Sequence, residues 1–272
     1  MCELFGMCAR LPATVGFSLE EFARHGGATD KHEDGWGIAF FEGNDVQVIR
    51  EALPAARSAA LRFIRTHHYR SRLVIAHLRY ATEGEPRLRN TQPFFRELGG
   101  TMHAFAHNGD LKGLRQSGLL GGGRFQPLGD TDSEYAFCYL MQRMESVWEG
   151  NPMPTIESRK EVVSRFAGVI REMGPANFIY SDGQAMFAHG HRREYGDGSG
   201  FRPPGLYCLS RCCEAPAPHA QLAGLSVEDV GDRQRVGLVA SVPLSDEPWR
   251  PFDEGEILVF SDGTADGCES VE

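Results

Sequence analysis

Thr131-Asp132-Ser133-Glu134, followed by Phe137, Leu140, Met141, Met144 and Trp148, is the stretch on which the fold reading turns. A hydroxyl residue three positions before a glutamate is the pattern of a capping box, and the apolar residues after it recur on one helical face. One face of this helix must therefore be buried against another layer. Two further segments have helical spacing: about Ala55 to His68, with Leu61, Ile64 and Arg65 on a face, and about Glu161 to Met173, with Val162, Val163, Phe166 and Ile170. Around them lie short strand-like runs bounded by Gly, Asp, Asn or Pro: Leu4–Ala9, Trp36–Phe41, Asp45–Arg50, Leu73–Leu78, Thr101–Ala106, Asn177–Ser181, Gln184–Ala188, Leu206–Ser210, Gly237–Val242 and Glu256–Phe260. Strands grouped early and late, with helices in two clusters, suggest an α+β protein in which two sheets stack between helical layers, a reading that composition alone does not separate from other α+β folds.

Composition narrows the function classes. The 272 residues carry 37 acidic against 28 basic side chains, a formal charge of −9, which argues against neutralising nucleic-acid phosphates or an anionic membrane. No apolar run approaches the 18 or more residues of a membrane span, and the N-terminus lacks the basic region of a secretion signal, so a cytoplasmic protein is expected. Glycine is the outlier, at 32 residues, and points to tight turns and close backbone approaches. Seven cysteines without regular spacing favour reduced thiols over a disulfide framework. Cys208, Cys212 and Cys213 with His219 lack the paired spacing of a structural zinc site and read as small buried residues; His189 and His191, two apart, read as surface histidines. Neither a metal nor a cofactor is expected.

Four places can carry chemistry. Removal of Met1 is feasible because Cys2 is small, and would leave one residue holding a thiol and an α-amine whose basicity suits it to take the thiol proton near neutral pH. Arg79, at the end of an apolar strand in Arg79-Tyr80-Ala81-Thr82, can grip a carboxylate with two parallel bonds, with Thr82 adding a hydroxyl; a structural ion pair is the competing reading. His107-Asn108-Gly109 can aim an amide N–H and an unobstructed backbone N–H at one developing oxyanion, although Asn-Gly is also the commonest tight-turn signal between strands. Asp132 suits a helix's first turn on electrostatic grounds alone, and read functionally it accepts a substrate ammonium. The glycine-rich segment from Gly26 to Gly37 lacks a phosphate-binding pattern and reads as a wall close to the nucleophile.

In this order, Met1-Cys2, Arg79-Tyr80-Ala81-Thr82, His107-Asn108-Gly109 and Thr131-Asp132-Ser133-Glu134 resemble the class II glutamine amidotransferases of the N-terminal-nucleophile hydrolase superfamily. Met1-Cys2-Glu3-Leu4, Asp34-Gly35-Trp36-Gly37-Ile38 and Pro243-Leu244…Trp249 look more closely like the stand-alone YafJ-type subgroup, over nearly the whole chain. The resemblance implies a four-layer αββα sandwich in one domain over residues 2–272. It implies Cys2 as nucleophile, Asn108 and Gly109 as the oxyanion hole, and Arg79, Tyr80, Thr82, His107 and Asp132 as substrate-binding residues. Tyr80 stands where many synthase-linked members have Trp, and Glu83 where they have His.

The implied reaction is attack of Cys2 on the γ-amide of glutamine or a γ-glutamyl amide, giving a γ-glutamyl thioester and then glutamate with ammonia or an amine. A γ-glutamyl-conjugate hydrolase and a non-catalytic regulatory subunit are the alternatives. The expected partners are the small-molecule substrate and, since no acceptor domain follows, a separate ammonia-accepting synthase subunit.

Overall fold

The computed structural model describes residues 1–15, 22, 25–26, 32–81, 84–213, 220–222, 225–227, 234–268 and 270–271. Eleven main strands build two sheets: β1 (Glu3–Thr14), β2 (Trp36–Glu42), β3 (Asp45–Glu51), β4 (Arg70–Leu78), β5 (Phe94–Leu98), β6 (Thr101–Gly109), β7 (Ala176–Ser181), β8 (Met186–His189), β9 (Tyr207–Cys213), β10 (Gln234–Ala240) and β11 (Ile257–Ser261). The first sheet runs β9-β10-β1-β4-β2-β3 and the second β11-β8-β7-β6-β5, with every neighbouring pair in these two orders antiparallel. Among the described residues, the helices α1 (Ala59–Thr66), α2 (Asp132–Trp148) and α3 (Ile156–Ile170) join the sheets in an α+β sandwich. No described helix is long and apolar enough to cross a membrane.

Strand alternation sorts the core into three layers. Phe5, Met7, Val74, Ala76, Ile38 and Leu238 point outward from the first sheet, where Leu61 and Ile64 of α1 meet them. Phe105, Phe178 and Phe187 point outward from the second sheet under α2 and α3, meeting Phe137, Leu140, Met144 and Phe166. Leu4, Cys8, Ile75, Ala104, Ala106, Ile179, Ala188 and Val239 lie between the sheets. The central strands are buried on both faces, which is why β1, β2 and β4 contain nearly continuous apolar runs rather than alternating ones.

The inner layer is thin, and several strand glycines make it so. A Cβ on Gly237 would stand 2.5 Å from the Phe260 ring, and one on Gly37 2.2 Å from the Gln92 carbonyl. Part of the glycine surplus thus serves sheet-to-sheet contact rather than turns.

Boundaries shift where capping residues decide them. Ser58 accepts from the Leu61 amide and starts α1 after a 3-10 turn at Ala55–Arg57, so the expected 55–68 helix is two pieces. Leu61 and Ile64 are buried as expected, whereas the side chain of Arg65 lies outside the described residues. Thr155 starts α3 five residues before Glu161 by accepting from Ser158. Thr131 caps α2 through the Glu134 amide, but Glu134 does not reach back to Thr131. Its carboxylate accepts instead from the Gly129 amide and from Arg96, so only half of the capping box forms. β5 was not foreseen.

Overpacking the inner layer is expected to be costly. Gly237→Ala should lower the unfolding free energy by about 1–3 kcal/mol, since the fully buried Phe260 ring has nowhere to move. Gly121→Ala, which would meet nothing within 4 Å, should change it by less than about 0.5 kcal/mol. Guanidinium unfolding of the two variants checks the difference.

Candidate functional site

Cys2 precedes β1, Arg79 follows β4, Asn108 ends β6, and Ser241 follows β10. Each has the parity of the inward-facing residues of its strand: Leu4 on β1, Ile75 on β4, Ala106 on β6 and Val239 on β10. Antiparallel register sets Glu3 opposite Leu78 and Leu4 opposite His77, bringing these strand ends to one edge of the inter-sheet layer.

The Cys2 sulfur is held by the backbone of Tyr80. The Tyr80 N–H donates to Sγ and the S–H donates to the Tyr80 carbonyl, both at 3.3 Å. Burial pushes the Cys2 thiol up from its ordinary value; the Tyr80 bond, the nearby chain terminus and Arg79 oppose this, and the Asp132 carboxylate adds to it. Tyr80 is 39% exposed, and its ring meets that of His32 at 76° with centroids 6.3 Å apart.

Arg79 is buried, and burial lowers its pKa, with the charges of Cys2 and Asp34 acting the other way. Its guanidinium donates to the carbonyls of Gly84 at 2.8 Å, Glu85 at 3.2 Å and Asp34 at 3.4 Å, and the Asp34 carboxylate accepts from the Ala81 amide. It thereby shapes the loop after β4, a role that the carboxylate-gripping reading did not anticipate. Thr82 lies outside the described residues.

Asn108-Gly109 is not a turn. β6 runs through both residues, with Asn108 opposite Asn177 and Gly109 opposite Ala176. Glycine is required at 109 by close approach: a Cβ there would lie 1.7 Å from the Pro175 carbonyl. The Asn108 amide is buried, with Nδ2 3.5 Å from the Ser241 hydroxyl and Oδ1 without a hydrogen-bond partner among the described residues. Ser241 Oγ also accepts from the Leu4 amide at 3.0 Å, linking the oxyanion candidate to the strand that carries Cys2.

Asp132 opens α2 and is held by three donors, the Leu111 amide at 2.7 Å and the amide and hydroxyl of Ser133. Its negative charge acts on the Cys2 thiol and raises its pKa. His107, expected to bind substrate, has the opposite parity from Asn108. Its Nδ1 lies 2.9 Å from the Ser133 hydroxyl, on the helix side of the second sheet, and it braces the strand from behind. Gln92 completes that brace: its side-chain amide donates to the His107 carbonyl and accepts from the His107 amide.

Several residues here have no local sequence signature. His77 is fully buried with neither ring nitrogen bonded among the described residues, and burial together with the charges of Arg79, His107 and His32 holds its pKa well below the ordinary histidine value. Asn177 bridges the carbonyls of Asn108 and Arg192, and Arg193 donates to the Ser241 carbonyl. Only strand parity and knowledge of which strands are neighbours would have pointed to them. Of the glycine-rich segment, His32 and Asp34 do line the approach to the chain terminus, while 27–31 lie outside the described residues.

The histidines expected at the surface are buried. His189 stacks on Phe178 and bonds the Ala176 carbonyl, and burial lowers its pKa to about 4. His191 is buried beside Glu254. Cys208 is buried between the sheets, Cys212 is only partly buried, unlike the small buried residue expected, and the side chain of Cys213 and all of His219 lie outside the described residues. Among the described residues, no three His, Cys, Asp or Glu side chains are grouped to hold a metal. A cavity of about 670 Å³ opens beside Cys8, Arg72 and Asp262 and is lined by none of the constellation around Cys2.

Comparison with known proteins bears on this arrangement. Residues 1–272 match the family described as glutamine amidotransferases class-II. The Escherichia coli protein YafJ is 34% identical over 266 residues, covering 96% of this chain and 97% of its own. A crystal structure described as a predicted glutamine amidotransferase from Pseudomonas aeruginosa superposes with a TM-score of 0.67 at 30% identity, covering 98% of this chain and 100% of that one. The glutamine phosphoribosylpyrophosphate amidotransferase of B. subtilis shares the fold at 19% identity, with a TM-score of 0.59 over 97% of this chain and 48% of its own. The full-length family match and the YafJ identity together establish that the chain belongs to the class II glutamine amidotransferases.

Proposed function

We propose that this protein, after removal of Met1, hydrolyses the γ-amide of glutamine or of a small γ-glutamyl compound through a Cys2 thioester. The observation that carries the reading is the meeting of one thiol with a cation, a carboxylate and an amide at one edge of the inter-sheet layer. Cys2 lies against Tyr80, within electrostatic reach of Arg79 and Asp132, and is joined to Asn108 through Leu4 and Ser241.

The free α-amine takes the Sγ proton and the thiolate attacks the γ-carbonyl carbon. Charge then develops on the carbonyl oxygen, where the Asn108 amide and the Gly109 N–H stabilise it. Hydrogen bonding favours turning the Asn108 amide over for this task. Ser241 Oγ already accepts from Leu4 and has one proton to give, so Oδ1 belongs against it and Nδ2 faces the inter-sheet space. The Cys2 ammonium protonates the departing nitrogen, and water cleaves the thioester to release glutamate.

Arg79 and Asp132 hold the α-carboxylate and α-ammonium. The three protein donors on Asp132 use part of a carboxylate's capacity of about four lone-pair sites, leaving room for an ammonium. Thr82 supports the carboxylate side, the exposed Tyr80 ring walls the mouth, and His107 acts from behind the strand. An ammonia-consuming synthase as a separate partner belongs to the same reading.

Cys2→Ala should abolish glutamate release, and Asn108→Ala should lower kcat by about 10²–10³ with a smaller change in KM. Mass analysis of the wild-type N-terminus should find Cys2 first. Comparing kcat/KM on glutamine and on γ-glutamyl dipeptides separates a glutaminase from a conjugate hydrolase; a Cys2→Ala protein as active as wild type would sink both.

A further inference from the structure

His32 is buried just before β2, with a carbonyl against each ring nitrogen: Nδ1 lies 3.3 Å from the His25 oxygen and Nε2 2.5 Å from the Met1 oxygen. A neutral imidazole has one N–H and one lone pair, so it cannot donate to both. With Met1 present, either a lone pair faces a carbonyl or a buried imidazolium is needed, and each is costly. Removal of Met1 takes away the oxygen at Nε2. The Cys2 nitrogen, two bonds of about 1.33 and 1.23 Å from that oxygen, becomes a free amine and a donor in both protonation states. Strand pairing begins only at Glu3, so this amine is free to turn toward the ring.

We propose that His32 is the positioning residue of the Cys2 α-amine: its Nδ1–H donates to the His25 carbonyl, and its Nε2 accepts a hydrogen bond from the amine. This rests on the reading above that Met1 is removed and the amine is the base. Holding one N–H on Nε2 directs the amine lone pair toward Sγ. When the thiol proton moves to the amine, the resulting ammonium keeps the Nε2 acceptor, so the thiolate–ammonium pair is stabilised; His32 itself takes no proton. The burial that raises the Cys2 thiol makes such support of the base effective. Among the described residues, the charged and titratable groups facing this corner include Tyr80, whose ring meets that of His32 at a steep angle, Arg79 after β4 with Asp34 beside it, Asp132 at the start of α2, His77 on β4 and the His25–Glu3 pair.

His32→Leu should lower kcat about 10–100-fold, within what a general base contributes, with KM for glutamine changed less than about threefold. It should also shift the acid limb of the kcat/KM profile to lower pH, because the amine loses an acceptor that favours its protonated form. His32→Gln, which keeps a donor and an acceptor, should recover most of the rate and the wild-type limb. A merely structural loss would lower the profile without moving it, and a His32→Leu protein with wild-type kcat and limb would overturn the proposal. Nitrogen NMR of the wild-type protein decides independently of any variant: an unprotonated Nε2 with protonated Nδ1 supports it, and the reverse tautomer overturns it. Retention of Met1, or activity in Cys2→Ala, would instead defeat the underlying reading.

Discussion

Two antiparallel sheets stacked face to face impose the constraint on which the site depends, since every inner side chain must fit the gap and every second residue of each strand is an inner one. Over most of the layer the solution is small or apolar: Ala39, Ala104, Ala106 and Ala188, with Gly37 and Gly237 where even a Cβ is excluded. At one edge the same parity carries Cys2, His77, Arg79, Asn108, Asn177 and Ser241. A one-residue slip of any strand would turn its member of this set out of the layer, so core packing and site geometry are fixed by one register.

The parts of this arrangement legible in the sequence were those with local signatures. The N-cap of α2 and its apolar face came from spacing alone, and Phe137, Leu140, Met141, Met144 and Trp148 are all buried. The order of the cysteine, arginine, asparagine and aspartate motifs resembled one family, and they do converge on one edge. Asn-Gly gave both a hairpin and a site reading, and local chemistry could not choose. The Pro175 carbonyl, 66 residues away, makes residue 109 a strand position closed to anything but glycine. β5 was hidden because Phe95 and Arg96 are partly exposed and Glu97 is exposed, with no clear alternation, while its pairing with β6 is a tertiary fact.

Histidine was the residue type read least well, and for one physical reason. Isolated histidines are expected at surfaces or metals because their charge resists burial. His77, His103, His107 and His189 are all deeply buried, and burial lowers the pKa of each. As neutral rings they serve as flat, polar core residues. His103 bonds the Tyr180 hydroxyl and packs edge-on to Trp148, and His189 stacks on Phe178. A one-letter code cannot distinguish such a ring from a ligand; the surrounding sheet can.

The candidate oxyanion donors illustrate why strand ends suit this chemistry better than loops. Gly109 is paired to Ala176, while Gln92 clasps both backbone groups of His107 and Asn177 holds the Asn108 carbonyl. Three independent hydrogen-bonding partners therefore fix three consecutive residues, and the His107–Ser133 contact ties them to the first turn of α2, where Asp132 stands. A donor so constrained loses little freedom on meeting a developing charge, which is the condition for electrostatic stabilisation without reorganisation. Cys2, by contrast, precedes the ladder, which begins at Glu3, and its sulfur is held by the backbone of Tyr80. In the proposed function, the half held by the ladder is the one that receives charge, and the half outside the ladder is the one that attacks and transfers a proton.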